Sequence, residues 1–271
     1  MTKQLRLIAC VSAILVGGGN VAAHAQVGQR PNQATPVVFQ AAGPDAASIQ
    51  SAVDAFRSAL GTLNKNVAGT FGSGRREINW DAAPDAVSAP NAMPADFFNV
   101  NSPRGAVFET PGSGFQLSAK AGNPSGTPER FGNLNPGYPD VFASFSAPRL
   151  FTALGSNATT TRFFVPGSTV PATSSGFGAV FTNVGLRPDD ARCGAANHTR
   201  LAYFDAVGNL LFDIEVPATT GRGGLSFVGA FFPGDRVASV GIVSGSSAPG
   251  PDDAGCTDIV VMDDFIYGEP Q

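Results

Sequence analysis

Histidine is almost absent from this chain. Of 271 residues only two are histidines, His24 and His198, and the first lies in a segment that reads as a removable leader. A single remaining imidazole gives any Ser-His-Asp or Cys-His mechanism one choice of base. His198 stands in Ala-Ala-Asn-His-Thr at an expected strand entry, where a solvated loop histidine is the plain reading. Basic residues are also few: 17 Lys and Arg face 21 Asp and Glu. That balance argues against nucleic acid and anionic membrane as partners, because both select clustered Lys and Arg. Beyond the leader no run approaches the roughly 20 apolar residues of a membrane-spanning helix. No hydrophobic tail behind a basic stretch closes the sequence at Gln271, so no membrane span is expected after the leader.

The leader is the first thing the sequence does contain. Lys3 and Arg6 precede an apolar run from Leu7 to Val16, and Ala23-His24-Ala25 supplies a small-x-small cleavage pattern before Gln26. Such a basic, then apolar, then small-residue order marks a secretory signal peptide over residues 1–25, with a periplasmic or extracellular destination. Leu7-Ile8-Ala9-Cys10 has the letters of a lipoprotein box. Only three apolar residues separate Arg6 from Cys10, however, so Cys10 reads as part of the discarded leader. Removing Lys3 and Arg6 leaves 15 basic residues against 21 acidic ones, a formal charge of −6.

Cys193 and Cys256 remain, each in a turn-rich, Asp- and Pro-containing segment. In an oxidising compartment an isolated pair reads as a disulfide. It would close a loop of roughly 60 residues and contribute up to about 4 kcal/mol in the chain-entropy account. Two thiols with one histidine lack the count and spacing of a zinc site.

Thirty-three Gly, 21 Pro and 21 Phe describe many turns between short strands, with Phe supplying much of the core. Residues 26–44 are rich in Pro, Gln and Ala and read as an extended arm. Residues 45–60 read as a helix, since Ile49, Val53, Phe56 and Leu60 recur at helical spacing and Gly61 offers a stop. From residue 74 the period becomes two, and eleven strand-like runs follow: 76–81, 105–109, 114–119, 141–145, 160–165, 176–184, 199–204, 210–216, 224–232, 236–243 and 258–267. The expected fold is therefore all-β: a jelly-roll-like antiparallel sandwich over residues 45–271, led by one helix.

Several polar residues invite chemistry. Glu77, Asp81, Glu109, Asp213 and Glu215 are strand-borne acids of the kind glycosidases pair. None of them forms the tight Glu-x-Asp-x-x-Glu cluster of retaining jelly-roll glycosidases, and Asp213 with Glu215 reads as an exposed polar face. Asp263 and Asp264 interrupt an otherwise apolar run, Ile259-Val-Val-Met-Asp-Asp-Phe-Ile-Tyr. Strand alternation sends the two acids to opposite faces, so one of them should approach the core. A carboxylate there needs a partner. Hydrogen bonding to a neighbouring loop is one solution. A structural Ca²⁺ is the other, with Asp81, Asp85 or Asn183 as co-ligands. For Trp80, a lone Trp in a strand, core packing is the plain reading; exposed among its polar neighbours it could instead stack on a sugar ring.

Gly74-Arg-Arg-Glu-Ile-Asn-Trp-Asp, Asn101-Ser-Pro-Arg-Gly-Ala-Val-Phe and the ending Val261-Met-Asp-Asp-Phe-Ile-Tyr-Gly resemble a group of uncharacterised exported bacterial proteins. The ending is also similar to the last strand of jelly-roll domains in exosortase-sorted surface proteins, without their sorting tail. The resemblance implies a sandwich fold and an exported location, and carries no activity. The leading expectation is an exported, non-catalytic sandwich that binds a glycan or another envelope component through its irregular loops. A structural or matrix protein with no small ligand is the alternative, and a carboxylate-based glycan hydrolase the third reading.

Overall fold

The computed structural model of the chain describes residues 35–185, 199–219, 221–234, 236–251 and 257–271. Their strands are β1 (Val37–Gly43), β2 (Arg75–Ile78), β3 (Ala106–Glu109), β4 (Gly114–Leu117), β5 (Phe151–Leu154), β6 (Ala158–Phe163), β7 (Gly176–Thr182), β8 (Arg200–Phe204), β9 (Leu210–Glu215), β10 (Leu225–Phe231), β11 (Ser239–Val243) and β12 (Val261–Gly268). Helix α1 (Ala46–Leu60) and the single turn α2 (Phe97–Val100) complete the set, with two short 3-10 turns.

Two antiparallel sheets face each other. One has the order β1-β10-β7-β12-β5-β4, with β2 also on β12; the other is β3-β6-β11-β8-β9. From β6 onward the chain passes back and forth between the sheets, only the β8–β9 hairpin staying within one. This is the all-β sandwich with a leading helix that the alternating sequence predicts. β12 is the pivot of the larger sheet. It pairs with β7 along one edge, and on the other edge with β2 at Phe265–Gly268 and with β5 at Met262.

Between the sheets, phenylalanine does most of the filling. Trp80 stacks on Phe151 at 4.4 Å and meets the rings of Phe98 and Phe265 edge-on at 5.3 and 5.0 Å. Phe177 and Tyr267 extend the same column. Offset and edge-to-face arrangements of this kind suit the ring quadrupoles, each pair adding about 0.5–1.5 kcal/mol to the burial itself.

Helix α1 starts where Asp45 accepts a hydrogen bond from the Ser48 backbone N–H at 3.0 Å, and ends at Gly61, whose left-handed φ of 97° only glycine adopts cheaply. Its buried stripe of Ile49, Val53, Phe56 and Leu60 packs on the outer face of the larger sheet, against Val180, Leu225, Phe227 and Ile266. The sheet makes room with a cross-strand glycine pair, Gly178 opposite Gly229. A Cβ at Gly178 would sit 2.9 Å from Cε1 of Phe56 and 2.9 Å from the Gly229 Cα.

Three sequence expectations change. Residues 37–43, expected within the arm, are β1, an edge strand on β10 whose Phe39 and Ala41 pack against the helix layer. Its pairing partner lies almost two hundred residues away, which local composition cannot reveal. Residues 151–154 form β5, which the sequence pattern passes over. Residues 141–145, expected as a strand, follow a 3-10 turn (Tyr138–Asp140) and cross the outer face of the larger sheet as an irregular segment, where the Ala143 N–H donates to Thr182 Oγ1 at 3.0 Å.

Replacing Gly178 with Ala forces Phe56 and the helix outward, and overpacking of this kind costs about 1–3 kcal/mol. A lower urea midpoint with an unchanged slope is the expected result; an unchanged midpoint would mean that the helix seat tolerates a methyl group.

Candidate functional site

Asp263 and Asp264 are both buried, yet neither points between the sheets. Met262 pairs with Phe181 and Phe265 with Ala179, so β12 advances three residues while β7 advances two. One residue is extra, which is a β-bulge. Met262 and Phe265 thus both face the inter-sheet core, while the two acids between them emerge on the helix side. The inserted residue corrects the expectation that alternation sends the two acids to opposite faces; both are buried, as expected of at least one, but on the helix side.

The segment that receives them is 143–149. Asp263 Oδ2 accepts the backbone N–H groups of Phe145 at 2.7 Å and Ser146 at 3.3 Å. The Ser146 hydroxyl donates to Asp264 Oδ1 at 2.6 Å and lies 3.4 Å from Asp263 Oδ1. Arg57 of α1 brings Nη2 to 3.6 Å from Asp264 Oδ2 and holds Glu77 with two hydrogen bonds of 3.0 and 2.8 Å. Arg75 adds a third bond to Glu77 at 2.6 Å. Burial, and then the neighbouring Asp264 charge, hold the Asp263 carboxyl well above the ordinary carboxylate range. Burial likewise pushes Asp264 up to about 6, against the pull of Ser146 and Arg57.

Of the other acids named from the sequence, Glu77, Asp81 and Asp85 border this centre, while Glu109, paired with Arg162, and Asp213, paired with Arg200, lie with Glu215 on the smaller sheet. Asp81 accepts the Arg149 N–H at 3.0 Å, faces Ser146, and is raised chiefly by burial. Asp85 takes the Arg149 guanidinium at 2.5 Å and the Lys120 ammonium at 3.4 Å, and the Arg149 hydrogen bond lowers its pKa. Asn183 is elsewhere, donating to the Ile259 carbonyl at 2.9 Å from a left-handed backbone with φ 68°. Among the described residues no group of three or more His, Cys, Asp or Glu side chains is disposed to hold a metal ion. Loop anchoring through hydrogen bonds, the other solution foreseen for the Asp pair, is what the geometry contains. Cys193, Cys256 and His198 lie outside the described residues.

Trp80 is 1% exposed. Its own backbone is left-handed, with φ 66°, and the indole N–H donates to the Asp263 carbonyl at 2.9 Å. The backbone reversal after β2 turns the indole into the core and leaves Asp81 facing the 143–149 segment. A sugar-stacking platform is therefore replaced by a core anchor, because every face of the ring is taken by Phe98, Phe108, Phe151 and Phe265.

A second constellation stands at the end of the sandwich where β2 begins and β12 ends. Arg76 and Glu269, 0% and 1% exposed, form a bidentate ion pair at 2.6 and 2.8 Å. Arg76 also donates to the carbonyls of Lys65, Gly69 and Pro103. Glu269 accepts from Asn64 Nδ2 at 2.9 Å and the Phe71 N–H at 3.2 Å. Two loops, 62–74 and 101–105, thus hang on one buried pair. A third joins them, since the Gly69 N–H donates to the Pro166 carbonyl and Asn99 bonds both Gly167 and Ser168. Leu63, Val67, Phe71 and Val170 project from these loops, and Val100 from the end of α2, with 37–60% of their surface exposed.

Sequence reasoning missed Ser146, Arg57 and the Arg76–Glu269 pair. The one available signal for the last was Arg75-Arg76 inside a strand pattern, where one guanidinium had to face inward. No protein-family model matches the chain, and no curated protein matches it significantly.

Removing one partner of a buried ion pair costs about 3–5 kcal/mol, because the other charge is stranded. Glu269→Ala should lower stability by that amount in chemical denaturation, whereas the double replacement Arg76→Met with Glu269→Leu should cost much less. Equal losses in the two variants would show that the loops, and not the pair, carry the energy.

Proposed function

We propose that this chain is a non-catalytic structural protein of the cell envelope, exported by the leader expected at residues 1–25, whose contacts are made by the loop end of the sandwich. The observation that carries the reading is the set of five exposed apolar side chains, Leu63, Val67, Phe71, Val100 and Val170, at one end of the sandwich, where loops 62–74 and 101–105 are fastened through Arg76 and Glu269 and a third loop is tied on by Gly69 and Asn99. Rigidly held apolar groups lose little conformational entropy on contact, which favours association. The glycan reading loses its main support with the burial of Trp80.

The occupant proposed for this end is a second copy of the chain. Segments 62–74, 97–104 and 165–171 carry Lys65 and Arg104 and not one carboxylate, although the whole sequence has an acidic excess. Like-charge repulsion between two acidic molecules is therefore smallest when they meet here. Five side chains are fewer than a standard interface of about 800 Å² per partner requires, so the association is weak and concentration-dependent.

Sedimentation of the purified mature protein over a range of concentrations tests this. Reversible self-association that Val100→Glu and Val170→Glu both abolish, with melting temperature unchanged, is the expected result. A monomer at every concentration would overturn it, and saturable binding on a glycan array would replace it with the binding-protein reading.

A further inference from the structure

Among the described residues, the carboxyls at the β12 bulge outnumber the cations packed against them. Asp263, Asp264, Asp81 and Glu77 converge on the space between the sheet, α1 and the 143–149 segment. The cations packed against them are Arg57 from α1, Arg75 from β2 and Arg149 from the segment itself. Arg57 and Arg75 both grip Glu77, and Arg57 also meets Asp54 at 3.4 Å. Arg149 is committed to Asp85 and the Ser118 carbonyl, offering Asp81 its backbone N–H instead. Among the described residues, only the 3.6 Å contact of Arg57 reaches the pair directly.

The proton count points the same way. Ser146 has one hydroxyl proton, donated to Asp264, and it faces Asp263 and Asp81 as well. With Asp263 and Asp264 both charged and buried side by side, neither could donate to the other. One proton between them supplies that missing hydrogen bond and removes the repulsion.

We propose that Asp263 and Asp264 form a proton-operated latch: one proton held between them pins the 143–149 segment to the sheet, and its release to solvent loosens that segment. An acid with a raised folded-state value binds its proton more tightly folded than unfolded. The stability it confers is complete below the ordinary aspartate value of 3.8 and is lost as pH rises through about 6, where Asp264 titrates; Asp263, raised chiefly by burial, acts with the same sign. The latch therefore closes on acidification and opens toward alkaline pH. Asp85, lowered by Arg149, has the opposite sign, its contribution being lost only as pH falls below the ordinary carboxylate range.

The molecule carries its own reporter. Trp80, the one tryptophan, donates to the backbone carbonyl of Asp263 itself. Its emission, and the hydrogen-exchange protection of the Phe145 and Ser146 amides corrected for intrinsic rate, should be followed from about pH 5 to pH 8. The expected result is a titration of the emission above the ordinary carboxylate range and a loss of protection of about tenfold or more. Asp264→Asn, which keeps an acceptor for Ser146 but carries no charge, should flatten both curves. Emission and protection that do not change with pH in the unmodified protein would overturn the latch, and that measurement decides the matter even if the variant fails to fold. The same titration persisting in Asp264→Asn would also overturn it, as would a titration that calcium abolishes, since the pair would then be a cation site.

Discussion

One inserted residue in β12 sets the terms for the rest of the molecule. Between Met262 and Phe265 the strand must keep both apolar side chains in the core and still pass two consecutive aspartates. Strict alternation would send an aspartate into a layer built from Trp80, Phe151 and Phe177, where a carboxylate without partners costs several kcal/mol. The bulge puts both acids on the outer face and leaves the aromatic column intact. It also bends the strand locally, and the Asp263 carbonyl that no longer follows the regular ladder becomes the acceptor for the Trp80 indole. Core packing and the polar cluster therefore meet at the same peptide.

The outer face is then obliged to accommodate the acids, and the irregular path of residues 143–149 follows from that. A regular strand would spend its N–H groups on a neighbour. This segment turns those of Phe145 and Ser146 toward Asp263 instead. Helix α1 brings Arg57 to the same place because its apolar stripe is seated by the Gly178–Gly229 pair, which fixes both its height above the sheet and its rotation. The Arg76–Glu269 pair does for the loop end what the bulge does for the helix face. Each of its charges is surrounded by carbonyls, amides and the opposite charge, so it organises two loops without a large hydrophobic surface between them.

What could be read from the sequence was what depends on near neighbours. The stripe of α1, its Asp45 start and Gly61 stop, and the hairpin of β8 and β9 all follow from local periodicity and turn chemistry. So did the need of Asp263 and Asp264 for partners, and loop hydrogen bonding as one of the two solutions. What escaped depends on distant pairing. β1 is a strand because β10 offers an edge, although its own residues read as an arm. Core packing is the plain reading of Trp80; what its polar neighbours Asn79 and Asp81 do not show is the single left-handed residue that reverses the chain and sends the ring inward. Period-two reasoning also has no way to foresee a bulge, since the pattern Val-Val-Met-Asp-Asp-Phe-Ile-Tyr is equally consistent with either face until the partner strand is known.

The two polar centres differ in how they satisfy charge, and that difference separates their roles. At Arg76 and Glu269 the charges balance one to one and the hydrogen bonds close around them. At the bulge the acids among the described residues outnumber the cations within reach, the deficit that the proposed proton makes up. A fold that needed only rigidity could have used the first solution twice. Placing an under-compensated acid pair beneath the helix, against a segment without regular secondary structure, ties the firmness of that face, through the proposed latch, to the proton activity outside. The apolar end and the acid pair are thus independent in charge, though β12 carries a residue of each: Asp264 in the bulge, and Glu269 one residue beyond its last paired position.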